Sequence, residues 1–145
     1  MPVSITVFLA QYLIFILFLS PLILWFSGQK KLSQGSLVSV FLAWVTGLVI
    51  KNFYYLPRPF ITTGRIPPVP FLLDGSFPSN HALVAFSLAF FVIFRQLRLG
   101  LFLFILAVLV AVSRVSIGVH TWADVSGGLL LGLLISLLVH KYFRN

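Results

Sequence analysis

Residues Leu99–Asp124 read LGLFLFILAVLVAVSRVSIGVHTWAD, and their reading decides the fold. The first part is an almost unbroken apolar run. A helix needs roughly 20 such residues to cross a bilayer, so Leu99–Val119 is read as a transmembrane helix. Arg114 falls near the end of that run, where a guanidinium has to face protein or a water-filled pocket rather than lipid. His120 and Asp124 follow it. This one segment therefore predicts both a membrane span and a polar site at its end.

Composition extends the reading to the whole chain. Of 145 residues, 60% are hydrophobic and only 8% are charged, with a mean hydropathy of +1.12. Globular domains carry about a quarter charged residues, so this is a membrane protein, and at this length residues 1–145 form a single domain. There is no cysteine, which excludes disulfides, thiolate nucleophiles and cysteine-held metals together. The net charge of +8 does not indicate nucleic acid. The Lys and Arg residues are spread between apolar segments rather than clustered on a soluble face, as membrane topology requires. Met1-Pro2-Val3-Ser4 lacks the basic start of a secretory signal, so the first apolar stretch is read as a retained helix.

Five stretches predict an all-α integral membrane bundle of five transmembrane helices. They are about Ile5–Phe26, Gly35–Leu56, His81–Phe94, Leu99–Val119 and Ala123–Val139, the third being short. Lys30 and Lys31, Arg95 and Arg98, and Lys141 and Arg144 fall in the three connections that five spans put on one side. The positive-inside rule makes that side cytoplasmic, with the N-terminus out and the C-terminus in. The outer face then collects Lys51, Arg58, Arg65, His81, Arg114 and His120. The connection 57–78 holds Pro57, Pro59, Pro67, Pro68, Pro70 and Pro78. Proline opposes continued helix, which predicts a stiff, non-helical loop with a turn at Asp74-Gly75.

Chemistry concentrates on that outer face. His120 and Asp124 are four apart, so on a helix they share a face. A carboxylate there can take the Nδ1 proton and leave Nε2 bare, as a nucleophile requires. The same pair also fits a buried hydrogen-bonded couple at a helix end. Lys51 taken alone fits a lysine snorkelling to the interface. Together, Lys51, Arg58 and Arg114 are three cations on one face, and a bound phosphate relieves their repulsion. Pro78-Ser79-Asn80-His81 precedes an apolar helix. Its free backbone N–H groups suit an anion, and His81 suits a general acid; taken alone, the segment is better explained by ordinary capping followed by a chance histidine.

Elimination narrows the reaction. With two Asp/Glu residues and three histidines, the chain supplies too few ligands for a two-metal phosphatase, and a cysteine phosphatase is excluded. A histidine nucleophile, with arginine and lysine in place of metal, fits what is present. The neighbouring cations disfavour imidazolium and keep His120 neutral before attack.

Lys51-x6-Arg58-Pro59, Pro78-Ser79-Asn80-His81 and Ser113-Arg114-x5-His120-x3-Asp124 resemble the three-part signature of the type-2 phosphatidic acid phosphatase family. Its relatives include bacterial lipid phosphatases and vanadium haloperoxidases. The resemblance implies a metal-independent reaction through a phosphohistidine, without a cofactor. His120 would attack phosphorus, held by Asp124, and His81 would protonate the departing oxygen and later activate water. Lys51, Arg58, Arg114, Ser79 and Asn80 would hold the phosphoryl group. The sequence departs from the family twice: Asn80 stands where glycine is usual, and five spans replace the six of many members.

The expected substrate is a membrane lipid phosphate or pyrophosphate, reached from the periplasm or exterior of the inner membrane. Undecaprenyl pyrophosphate leads, with lipid A 1-phosphate and phosphatidylglycerol phosphate as alternatives. A lipid phosphotransferase and an inactive structural or binding subunit are the rivals from other classes. Oligomeric state is not legible. Gly128, Gly132 and Ser136 form a small-xxx-small row that suits tight packing within the bundle. Trp25, Trp44, Tyr54 and Tyr55 suit interfacial anchoring, and His140 the membrane edge. Arg65 fits either a headgroup contact or a solvated loop charge.

Overall fold

A computed structural model describes residues 3–70 and 73–144, and among them helices are the only regular secondary structure. The six helices are α1 (Val3–Phe26), α2 (Lys30–Phe53), α3 (Pro59–Thr63), α4 (Asn80–Ile93), α5 (Leu97–Ser116) and α6 (Trp122–Phe143). Four of them, α1, α2, α5 and α6, are long and apolar enough to cross a membrane.

The helix α4 is the axis of the bundle. It packs against α6, α5 and α2. Ala82 through Ala89, with Phe91 and Val92, are all buried. A helix that is hydrophobic all round belongs in an interior. That explains why the third predicted span, His81–Phe94, appears as a 14-residue helix of about 21 Å at 1.5 Å per residue. Surrounded by longer helices, it does not need the length that contact with lipid imposes.

The small row on α6 faces this axis. A Cβ on Gly128 would lie 2.9 Å from the Leu83 amide nitrogen, and one on Gly132 would lie 2.9 Å from that of Ser87. Backbones approach this closely only where side chains are absent. Between α2 and α4, Ser39 and Ser87 bond hydroxyl to hydroxyl at 2.7 Å. Within α1, Pro21 lacks the N–H that would meet the Leu17 carbonyl, and Ser20 Oγ donates to that carbonyl at 2.9 Å instead. Ser33 Oγ of α2 donates to the Pro21 carbonyl at 2.7 Å and ties the two helices together.

The connections sort into two ends. At one end Gln96 bonds Gln29, and Arg95 Nη1 donates to the Phe143 carbonyl at 3.1 Å. This gathers the three basic regions that topology predicts on one side. At the opposite end the Ser76 amide donates to Leu56 at 2.7 Å, and the Ser79 amide to the Asp124 carbonyl at 3.1 Å.

Two expectations need correction. The proline-rich connection is not wholly non-helical, because Pro59–Thr63 forms a short helix. Proline's fixed φ suits the first helical position, and here it starts the turn. The second helix begins at Lys30 rather than near Gly35, so Lys30 and Lys31 lie in its first turn. Straight-chain lysines are good helix formers and extend a hydrophobic span at its end.

Gly132→Val should drive α6 away from α4. We expect a loss of about 1–3 kcal/mol, the usual cost of overpacking, read as a lowered thermal midpoint in detergent. Leu138→Ala, on a face 69% exposed, should change it far less.

Candidate active site

The turn between α5 and α6 aims His120. The helix α5 ends at Ser116, and the chain turns away at Gly118, whose φ of +77° only glycine adopts freely. The Gly118 amide donates to Val115 at 2.9 Å and the Val119 amide to Arg114 at 3.3 Å, the double closure of a left-handed helix stop. Thr121 then caps α6: its Oγ1 accepts from the Asp124 amide at 3.2 Å, while Asp124 Oδ2 accepts from the Thr121 amide at 2.6 Å. His120 therefore lies between two helices, not on one. The shared-face argument for His120 and Asp124 is corrected accordingly: the capping box, rather than helical spacing, brings them together.

Ser76 joins this pair. Its hydroxyl donates to Asp124 Oδ2 at 2.6 Å and stands 3.5 Å from His120 Nδ1. His120 Nδ1 lies 3.7 Å from Asp124 Oδ2, an ion-pair spacing rather than a hydrogen bond. On the other side of the ring, Arg58 Nη1 is 3.4 Å from Nε2. A guanidinium can only donate, so this contact favours the tautomer with Nε2 bare and the proton on Nδ1. Burial is the first cause that lowers the His120 pKa, to about 4; Asp124 opposes it, and the charges of Arg58, Arg114 and Lys51 reinforce it.

Lys51, Arg58, Asn80, His81, Arg114 and His120 line one cavity of about 340 Å³. Three elements supply its cations. Lys51 sits in the last turn of α2, Arg58 is the residue before α3, and Arg114 is in the last turn of α5. All three are buried, so Lys51 does not snorkel. Arg114 Nη1 donates to the Ala10 carbonyl at 3.1 Å, and its Nε has no partner in the protein. A buried guanidinium left short of acceptors calls for an anion. The first turn of α4 adds the positive end of its dipole. Ile14, Phe15, Phe18, Trp44 and Val84 form an apolar wall to the same cavity. Trp44 thus belongs to this wall and not to a helix-end anchor.

Ser79 and Asp124 do not line the cavity. Ser79 occupies the N-cap of α4 without using its side chain as a cap, and its buried Oγ has no partner in the protein. Asn80 keeps an ordinary backbone, since no residue but glycine has positive φ among those described. Space for its side chain comes from α2, where a Cβ on Gly47 would lie 2.1 Å from Asn80 Oδ1. Arg65 lines a separate cavity of about 450 Å³ with Thr63 and Ser116.

Two site residues escape the motifs. Ser76 carries no signal that separates it from the other serines. Asp74 carries one: it is one of only two carboxylates, in the loop facing the cations. Its Oδ2 lies 3.1 Å from Lys51 Nζ, and its Oδ1 3.1 Å from Arg58 Nε. Burial alone would raise its pKa, but the Arg58 hydrogen bond and the charges of Arg58 and Lys51 outweigh burial and hold it below the ordinary value.

Residues 35–145 match the PAP2 superfamily. The undecaprenyl-diphosphatase BcrC of Bacillus subtilis (strain 168) is 31% identical over 143 residues, spanning 96% of this chain and 74% of that protein. The crystal structure of Aquifex aeolicus LpxE superposes with a TM-score of 0.79 at 26% identity, covering 98% of this chain and 88% of that one. The PAP2-type phosphatidylglycerolphosphate phosphatase of Bacillus subtilis superposes with a TM-score of 0.67 at 27% identity, covering 97% and 74%. The chain belongs to the PAP2 superfamily. It is a multi-pass membrane enzyme, a lipid phosphatase.

The low pKa of His120 has a consequence for stability. The folded imidazole stays neutral to about pH 4, while the unfolded one takes up a proton near 6.5. Its contribution is therefore complete above pH 6.5 and is lost as pH falls from there toward 4. Over this window the thermal midpoint of the wild type should fall more steeply than that of His120→Gln.

Proposed function

We propose that the chain hydrolyses a terminal phosphate or pyrophosphate from a membrane lipid without metal, through a phosphohistidine, with undecaprenyl pyrophosphate as the lead substrate. One observation carries the reading: Lys51, Arg58, Arg114, His81 and His120 converge on a cavity whose other wall is apolar. A phosphate on a long hydrocarbon needs both surfaces. The lead substrate rests on the similarity to a named undecaprenyl-diphosphatase across nearly the whole chain. The structural neighbour named a phosphatidylglycerolphosphate phosphatase keeps phosphatidylglycerol phosphate as an alternative, and lipid A 1-phosphate is the other.

In this mechanism the bare Nε2 of His120 attacks phosphorus as the bond to the leaving oxygen breaks. His81 gives its proton to that oxygen. Water then attacks phosphorus, His81 takes a proton from that water and so regains its acid form, and the Nε2–P bond opens. Lys51, Arg58 and Arg114 neutralise the charge that grows on the equatorial oxygens. Ser79 and Asn80 supply further donors, which suits the buried Ser79 hydroxyl that bonds nothing in the protein. Asp124 and Ser76 hold the Nδ1 side of the nucleophile. The bundle spans the inner membrane five times, with α4 as the inner span. The basic end faces the cytoplasm and the site faces the periplasm or exterior.

Purified protein should release phosphate from undecaprenyl pyrophosphate faster than from lipid A 1-phosphate or phosphatidylglycerol phosphate in side-by-side assays. Activity should persist in EDTA. Loss of activity in EDTA would rule out the metal-free route, and transfer only to a second lipid would make the chain a phosphotransferase. His120→Ala should lose at least about a thousandfold in kcat, as nucleophile loss does elsewhere. Unchanged turnover would end the enzyme reading. Labelling of Ile66→Cys, at a residue 86% exposed, by an impermeant reagent on intact cells tests the orientation.

A further inference from the structure

We propose that Asp74 is a carboxylate which the substrate's terminal phosphate has to displace, so that Lys51 and Arg58 exchange one anion for another as the lipid binds. The proposal rests on reading those cations as phosphate-holding groups.

Asp74 already makes the contacts that a phosphoryl group would use. Arg58 presents Nε and Nη2 to Oδ1, and Lys51 Nζ reaches Oδ2. This is the fork-and-point pattern by which arginine and lysine hold phosphate oxygens. The only other carboxylate, Asp124, is committed to the capping box and Ser76. The two sides of the contact differ in freedom. The Lys51 and Arg58 side chains are 5% and 7% exposed, while that of Asp74 is 35% exposed. Asp74 stands on the loop between α3 and α4, beside the 74%-exposed Leu73. The cations are fixed and the anion is the movable partner.

The exchange favours one chemistry. Asp74 offers a single negative charge, whereas a terminal phosphate carries up to two and three acceptor oxygens. A phosphodiester headgroup carries one charge and gains little by competing with a carboxylate already in place. Asp74 would therefore bar the diester phospholipids of the surrounding membrane from the site and admit terminal phosphates.

Orthovanadate binding to the purified protein in detergent, measured by calorimetry, tests this without turnover. Asp74→Asn should bind vanadate on the order of tenfold more tightly than wild type, because loss of two partly exposed ion pairs removes the competing anion. Equal or weaker binding would overturn the proposal and make Asp74 a fixed support for the cations. Arg58→Ala separates the two layers: if it leaves vanadate binding unchanged, the phosphate reading itself fails. Should Asp74→Asn not fold, hydrogen exchange in the wild type decides. Vanadate should speed exchange of the Leu73–Gly75 amides as the loop is released. Slowed or unchanged exchange would sink the idea.

Discussion

Three buried cations at one end of an apolar bundle govern this structure. Lys51, Arg58 and Arg114 sit where water is scarce, so each has to find acceptors. Much of the local architecture answers that demand. The loop after α3 brings the Asp74 carboxylate and the Gly75 carbonyl to Lys51 and Arg58. The Ala10 carbonyl of α1 accepts from Arg114, and the Val119 carbonyl accepts from Arg58 at 3.4 Å. Apart from the Asp74 carboxylate, these acceptors are single carbonyls, which are weak partners for full charges. The cavity remains electropositive, which suits the phosphate proposed to bind there.

Helix ends do the positioning. The left-handed stop at Gly118 and the capping box at Thr121–Asp124 confine His120 to a few residues with little freedom. Asp124 serves both the backbone of α6 and the His120 ring, with the Ser76 hydroxyl beside them. A functional carboxylate is thus held by the same bonds that begin a helix, so no separate scaffold is needed to orient it. The low-dielectric surroundings that make these bonds strong also keep the imidazole neutral. Burial acts ahead of the neighbouring charges in doing so, where the sequence had pointed to the charges alone.

Much of this was legible in the chain. Long apolar runs announced the four long helices, and the spacing of basic residues announced which connections share an end. The motifs named Lys51, Arg58, Asn80, His81, Arg114 and His120, which line the cavity, but they also named Ser79 and Asp124, which do not, and they missed Asp74, which does. The rest was hidden for physical reasons. Helix capping, not helical periodicity, governs His120 and Asp124, and a four-residue interval reads the same in both cases. Pro59 starts a helix where a count of prolines argued against one. Asp74 looked like a turn former because Asp-Gly is a common turn pair, although its rarity in so uncharged a chain was itself a signal. Ser76 could not be found, since its role depends on a fold in which the loop before α4 returns to α6.

Asn80 and Gly47 face each other across α2 and α4, the amide filling the space that a side chain on α2 would otherwise take. The glycine common in the family at position 80 would leave a hollow there, and bulk on α2 could fill it. The two positions therefore trade volume. They should be inherited as a unit, so that lineages which change one without the other pass through a cavity or a collision beside the site.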